Sequence, residues 1–306
     1  MKSPADAPID PACGLRLTRA MPEASRPRPA WLPPPDGSRD RRVEDPTNAW
    51  AVHLAGRALL PLALRARVPA NAVSLGGLAL GTGAAFAYLG WRDPALATLG
   101  FLLSVGWLVL DGLDGMVARA TGTAGALGRF LDGLCDHGVF LILYLALGFA
   151  IDTPAAWITG TLAGLVHGIQ SNLYESERAR FHRRVRGDPG GGPPPPSPNW
   201  LVRRYDRLAG SLDRLAAPCD RALAESADRR AFAALYAERA APALRAMNLL
   251  NANWRVIAIY AACLAGDPML FWWWELGPLT LITAAGLIWH RPIEERLVRE
   301  AVGRPA

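Results

Sequence analysis

Residues 111–136, DGLDGMVARATGTAGALGRFLDGLCD, carry Asp111, Asp114, Asp132 and Asp136 straight out of the apolar run FLLSVGWLVL. A carboxylate near the middle of a membrane helix costs roughly 2.5 to 3.5 kcal/mol on insertion scales, so four in one short stretch need a compensating partner. The first two acids are three residues apart and the last two are four apart. On a helix both spacings bring side chains to one face, so two neighbouring helices can present four carboxylates to one cavity. Left alone, these groups would repel one another and some would stay protonated. Divalent cations remove that difficulty, and an all-oxygen ligand set suits magnesium, manganese or calcium rather than zinc. Magnesium shares its coordination with substrate phosphates, so the pattern points to a phosphate-bearing substrate. Gly112, Gly115 and Gly133 beside the acids permit close approach, and Arg119, two turns from Asp111, is a fork of donors suited to an anionic phosphate.

The elements that must position these acids are helices. The 306-residue chain is 51% hydrophobic with a mean hydropathy only slightly positive, so its apolar residues are concentrated in runs. The reading is an all-α, polytopic integral membrane protein with six transmembrane helices and an N-terminal interfacial helix. The spans fall at about 72–90, 95–117, 124–150, 155–174, 253–265 and 270–289. Before them lie a Pro- and Arg-rich disordered cytosolic tail (1–45), which lacks the apolar core of a signal peptide, and an amphipathic interfacial segment (46–71). The first four spans occupy 72–174. A cytosolic linker and helical hairpin insert follows (175–252), with GDPGGGPPPPSP as its extended part, then the last two spans (253–290) and a C-terminal tail (291–306).

Charge orients the assembly. The net charge of +6 is almost wholly arginine, Lys2 being the one lysine. Arginines crowd the N-terminal region, the insert and the C-terminus, with Arg119 and Arg129 between the second and third spans, and are scarce in WRDP, IDTP and GDP. The positive-inside rule then puts both termini and the acids on the cytoplasmic side of a cytoplasmic or inner membrane. Arginines flanking apolar spans favour anionic lipid over nucleic acid as the partner. Cys13, Cys135, Cys219 and Cys263 form no CxxC pair and read as packing residues.

The pattern D-x-x-D-G-x-x-A-R, eight residues, then G-x-x-x-D-x-x-x-D resembles the signature of the CDP-alcohol phosphatidyltransferase family. It is matched by Asp111, Asp114, Gly115, Ala118, Arg119, Gly128, Asp132 and Asp136. The resemblance implies a six-helix membrane enzyme that binds Mg²⁺ or Mn²⁺, two ions in number, through Asp111, Asp114, Asp132 and Asp136, with Asp136 also the general base. It places the CDP group of the donor against Gly115, Ala118, Arg119 and Gly128. VPANAVS is similar to the family's P-N-x-x-[ST] sequence with one inserted alanine, which adds Asn71 and Ser74 as donor contacts. It further implies a homodimer.

The expected reaction moves a substituted phosphoryl group from a CDP-linked donor, CDP-diacylglycerol above others, to an acceptor hydroxyl with release of CMP, in phospholipid biosynthesis. A soluble CDP-alcohol donor with a lipid acceptor uses the same motif. A carboxylate-lined cation transporter and a catalytically silent scaffold are the rivals from other classes. His167, Gln170, Ser171, Tyr174 and Glu175 make a polar stripe at the end of the fourth span, a candidate acceptor pocket or an interhelical hydrogen-bond set. Arg255 reads as an acceptor-phosphate ligand or, by preference, a headgroup anchor. His137 reads as structural, and Trp272, Trp273 and Trp274 as an interfacial girdle.

Overall fold

A computed structural model describes residues 40–190 and 213–301, apart from the side chains of residues 126, 127, 129, 130, 132 and 213–216. The expected disordered tail up to residue 39, residues 191–198 of the Pro-Gly linker, and Cys13 lie outside the described residues.

The described residues are helical. A π-helical turn (Asn48–Val52) leads into α1 (His53–Arg65), α2 (Ala70–Leu89), α3 (Pro94–Thr121), α4 (Ala126–Ile151) and α5 (Pro154–Val185). After the linker come α6 (Asp213–Glu225), α7 (Arg229–Ala246), a 3₁₀ turn (Met247–Leu250), α8 (Ala252–Leu264), α9 (Met269–Trp274), a π-helical turn (Glu275–Leu279) and α10 (Thr280–Ala301). Helix starts follow local chemistry. Asp93 and Thr153 accept hydrogen bonds from Ala95 N–H and Ala156 N–H, each followed by a proline whose missing N–H costs nothing there. α3 ends at Gly122, whose φ of 68° is the left-handed conformation that glycine adopts without steric penalty.

Among the described residues, three helices are long and apolar enough to cross a membrane: Ala70–Leu89, Pro94–Thr121 and the Gly133–Ile151 part of α4. The other three expected spans coincide with the first part of α5, with α8 and with α9–α10, but differ in form. α8 has 13 residues. The sixth runs on as one helical stretch with a π-helical turn inside it, which contains Pro278 and the buried acid Glu275. Proline cannot donate the helical hydrogen bond, and such turns mark irregular pairing. α5 runs on to Val185 and α10 to Ala301, both beyond their expected ends.

α2 is the spine of the helix assembly, with α3 and α4 each laid along it. Its glycines make this approach tight: a methyl on Gly77 would stand 3.3 Å from the Trp107 ring, and one on Gly81 2.5 Å from the Val139 methyls. Tyr88, Trp107, Leu143, Leu147 and Trp272 are fully or almost fully buried in the core that results. α1 packs Gly56 against Val109 and Met116 of α3 while exposing Trp50, Leu54, Leu59, Leu62 and Leu64. That exposed apolar stripe is what an interfacial helix needs.

A second core lies where the ends of α5 and α10 meet α6 and α7. Phe181, Leu223, Tyr236, Ala240, Leu244 and Leu297 are buried there with Val43. Within it, Arg184 is wholly buried, with Nε 2.7 Å from Asp220 Oδ1 and Nη1 bonded to the Glu294 carboxylate and to the Tyr236 hydroxyl. Glu177, 1% exposed, is held by Arg180 at 2.9 Å, His290 at 3.2 Å and Arg291 at 3.4 Å. Residues 40–47 strap this lobe to the rest. Arg245 donates to the Arg42 carbonyl at 3.0 and 2.7 Å, Trp254 Nε1 to Asp45 at 2.9 Å, and Asn253 Nδ2 to Thr47 Oγ1 at 2.8 Å.

Burial alone would raise the Glu177 carboxyl, but the bonds from His290 and the charge of Arg180 overcome it and lower the group to about 2, from an ordinary 4.5. A carboxyl depressed in the folded state contributes stability that is complete above its unfolded value and lost as pH falls toward the folded one. Between about pH 4.5 and about 2 the lobe is therefore expected to lose about 3 kcal/mol from this one group. Hydrogen exchange of peptides 213–225 and 229–246 measures it. Glu177→Gln should be less protected at neutral pH and flatter across that window.

Candidate active site

The turn between α3 and α4 sets the aspartates in register. Asp111 stands ten residues before the end of α3 and Asp136 ten residues after the start of α4, so both lie ~15 Å from the turn. Asp114 and Asp132 are seven and six residues from it, and fall together at ~10 Å. The Asp132 side chain lies outside the described residues. Asp111 and Asp136 are half-buried, and Asp114 is buried.

Asp114 shows how the neighbouring helix serves the site. Ser74, in the first turns of α2, donates its hydroxyl to Asp114 Oδ2 and also lies 3.2 Å from the Ala70 carbonyl. Of the two residues expected to touch the donor, Ser74 therefore fixes a carboxylate, while Asn71 is exposed at the start of α2. Arg119 folds back along its helix: a methyl on Gly115 would stand 3.1 Å from Arg119 Nη1. The glycine makes room for the guanidinium, one turn nearer the acids than its own Cα. Ala118 and Gly128 are half-buried, and a methyl on Gly128 would meet nothing within 4 Å among the described atoms. The backbone at that position is open to a ligand.

The polar stripe of α5 forms a second centre beside the first. Phe140, one turn beyond Asp136, places its ring 4.3 Å from the His167 imidazole. Behind it, Arg255 is wholly buried, donating to Ser171 Oγ at 2.9 Å and Gln170 Oε1 at 3.1 Å, in contact with His167, with Nε 3.6 Å from Glu275. Glu275 is likewise buried, 3.3 Å from His167 Nδ1, and its carbonyl accepts from Gln170 Nε2 at 3.1 Å and Thr280 Oγ1 at 3.2 Å. Arg255 is thus an interior cation, and the headgroup-anchor reading is overturned: Glu275, in the π-helical turn between α9 and α10, draws it inward. Tyr174 parts from the set and donates to Asn248 at 3.0 Å. His137 is exposed. Trp272 is a core residue rather than part of an interfacial girdle, whereas Trp273 is exposed. Cys135, Cys219 and Cys263 are buried free thiols, as packing residues are.

Glu275 escaped the sequence reading, although a lone acid between WWW and LGPL carries the same signal as the four aspartates. Glu177, His290 and Glu294 were also missed. Their ligand atoms lie within 4.8 Å of one another, the spacing of a metal site. Arg180, Arg184 and Arg291 reach the same carboxylates, so the positive charge an ion would bring is already supplied. The aspartates differ: α3 and α4 carry the four acids of the motif and two arginines, Arg119 and Arg129. An oxygen donor set with this acid excess fits a hard divalent cation.

Residues 67–184 match the family model described as CDP-alcohol phosphatidyltransferase. The match runs from just before α2 to the end of α5 and contains every residue of the aspartate motif. Through this segment the chain is similar to the CDP-alcohol phosphatidyltransferase family. No curated protein and no solved structure matched the chain. The similarity supports transfer of a phosphoryl group from a CDP-alcohol. Its apolar helices and this similarity together support a membrane protein. The lobe helices α6, α7 and α10 lie outside the matched residues.

Two substitutions separate support from ligand binding. Arg255→Ala strands a buried Glu275 carboxylate and is expected to destabilise the protein by about 3 to 5 kcal/mol, read as a lower unfolding temperature in detergent. A stable variant with only a raised acceptor KM would instead make Arg255 a substrate ligand. Ser74→Ala should leave the unfolding temperature nearly unchanged but weaken divalent-cation binding, measured by titration calorimetry.

Proposed function

We propose that this protein transfers the phosphatidyl group of CDP-diacylglycerol to the hydroxyl of an alcohol, releasing CMP, in phospholipid synthesis at the cytoplasmic face of a membrane. The observation that carries the reading is the level pairing of Asp111 with Asp136 and of Asp114 with Asp132 across the α3–α4 turn, within the family match. A cytoplasmic site, with both termini on the same side, follows from the arginine-rich connections. At that level a lipid donor and a water-soluble acceptor can meet.

The four aspartates would hold two magnesium or manganese ions, with Ser74 fixing the orientation of Asp114. Bound there, the ions supply the positive charge that a diphosphate and a departing CMP require. Arg119, lying over Gly115, is placed to take a donor phosphate, and the open backbone at Gly128 allows the nucleotide to approach. Asp136 accepts the proton of the acceptor hydroxyl as its oxygen attacks the β-phosphorus, and the bond to CMP breaks. The acceptor sits on the α5 side of Asp136, bordered by His167, Gln170 and Ser171, which Arg255 holds in place.

Purified protein in nanodiscs should release CMP from CDP-diacylglycerol only with magnesium or manganese and an acceptor, and a panel of polyol, amino-alcohol and sugar-phosphate acceptors identifies the alcohol. Asp136→Asn should lower turnover by ~10² to 10⁴ with donor binding retained. Asp111→Asn should lose metal affinity as well. Full turnover in Asp136→Asn would remove the base from that residue. Release from a soluble CDP-alcohol in the presence of diacylglycerol, and not from CDP-diacylglycerol, would reverse the assignment of lipid and headgroup.

A further inference from the structure

A pocket of about 220 Å³ opens on the lobe, where the strap, the end of α5 and the start of α7 meet. Arg42, Arg186 and Arg230 line it, one from each element, together with Val185, Gly187 and Ala233. No carboxylate is among its lining residues. Elsewhere in the lobe arginines are engaged by acids: Arg183 and Arg184 by Asp220, Arg239 by Glu300, and Arg291 by Glu177 and Glu294. Arg186 and Arg230 are exposed and form no ion pair among the described residues. Arg42 gives Nε and Nη2 to Asp40 at 3.0 and 2.6 Å, and Arg186 gives Nε to the His182 carbonyl at 3.0 Å. A guanidinium has five N–H donors, so both keep donors free. The carbonyls that end α5 would repel an anion, but they are occupied. His182 accepts from Arg186 Nε, Arg183 from the N–H groups of Arg186 and Asp188, and Arg184 from that of Gly187. The first turns of α7 bring the positive end of a helix dipole.

We propose that Arg42, Arg186 and Arg230 bind the phosphate group of a soluble molecule, which then joins the strap to the lobe. Three guanidinium groups around one small pocket suit a tetrahedral phosphate, whose oxygens point in separate directions. A planar carboxylate is satisfied by one arginine in bidentate fashion. The volume is below the ~300 to 1,000 Å³ of ordinary small-molecule sites, so it takes a phosphate group and not a whole nucleotide. Distance from the membrane decides the source. α5 is continuous to Val185, so the pocket stands ~18 Å beyond residue 174, the expected end of the fourth span. The headgroup layer on one side of a bilayer is roughly 5 to 8 Å deep, too shallow for a lipid phosphate to reach it. Arg42, Arg186 and Arg230 lie outside the family-matched residues, and the inference is independent of the transfer reaction.

The test uses full-length protein in phosphatidylcholine nanodiscs with a chelator present, so that the aspartates hold no metal. Hydrogen exchange of the peptides covering residues 40–47 and 183–190 is followed while inorganic phosphate is added. Exchange should slow to a saturable limit with phosphate, and not with acetate or chloride at equal ionic strength. The double variant Arg186→Gln, Arg230→Gln removes charge-assisted hydrogen bonds at two exposed positions, so its unfolding temperature should hold while the phosphate midpoint rises about tenfold or more. Arg119→Gln, beside the aspartates, should leave the midpoint unchanged. An equal response to acetate or chloride, no response to phosphate, or a midpoint unmoved in the double variant would overturn the proposal. So would a midpoint that moves with Arg119→Gln, which would place the phosphate among the aspartates. Slowing in nanodiscs containing phosphatidic acid, with none from soluble phosphate, would assign the arginines to a lipid headgroup and overturn the soluble source.

Discussion

Buried carboxylates must be matched by charge or by donors, and three different answers to that demand organise this molecule. In the lobe, Glu177 and Glu294 are answered by Arg180, Arg184, Arg291 and His290. Between α5, α8 and the π-helical turn, Glu275 is answered by Arg255 and His167. On α3 and α4 the acids outnumber the arginines of their own helices, and the buried Asp114 is met by the hydroxyl of Ser74. Two of these centres are closed within the protein. The third offers the all-oxygen ligand set that hard divalent cations take.

The closed centres hold the open one in position. Arg255 ties α8 to α5 beside Phe140, a turn from Asp136, so the wall of the candidate site is anchored from behind. The strap at residues 40–47 joins the lobe to the start of α8 and continues into α1, which packs on α3 at Met116, between the acids and the end of that helix. α2 carries the remaining load: its glycines let α3 and α4 lie against one helix, and its Ser74 orients Asp114. The lobe helices outside the matched segment are therefore continuous with the aspartate-bearing helices through named contacts.

The helices that bear the motif, the turn between them and the family were legible in the sequence. Apolar runs, capping residues and aspartate spacing are local properties, and a helix converts spacing into a shared face without help from the rest of the chain. The two long polar excursions were harder. The helical continuation of α5 past residue 174 and of α10 past 289 reads as charged and tail-like, because its arginines find their acids only across elements, as Arg184 does with Asp220 and Glu294.

By itself the sequence determined an all-helical protein with four acids aligned on two consecutive helices, because periodicity, caps and insertion cost act within one segment. The tertiary structure alone decided which buried groups are spent and which are available. Arg255 became an interior clamp, Ser74 a support for Asp114, and Trp272 a buried ring with an unmet N–H, since each outcome depends on partners from distant helices. Pairing of charge in a low-dielectric interior is a property of neighbours in space, and spacing along the chain does not encode it.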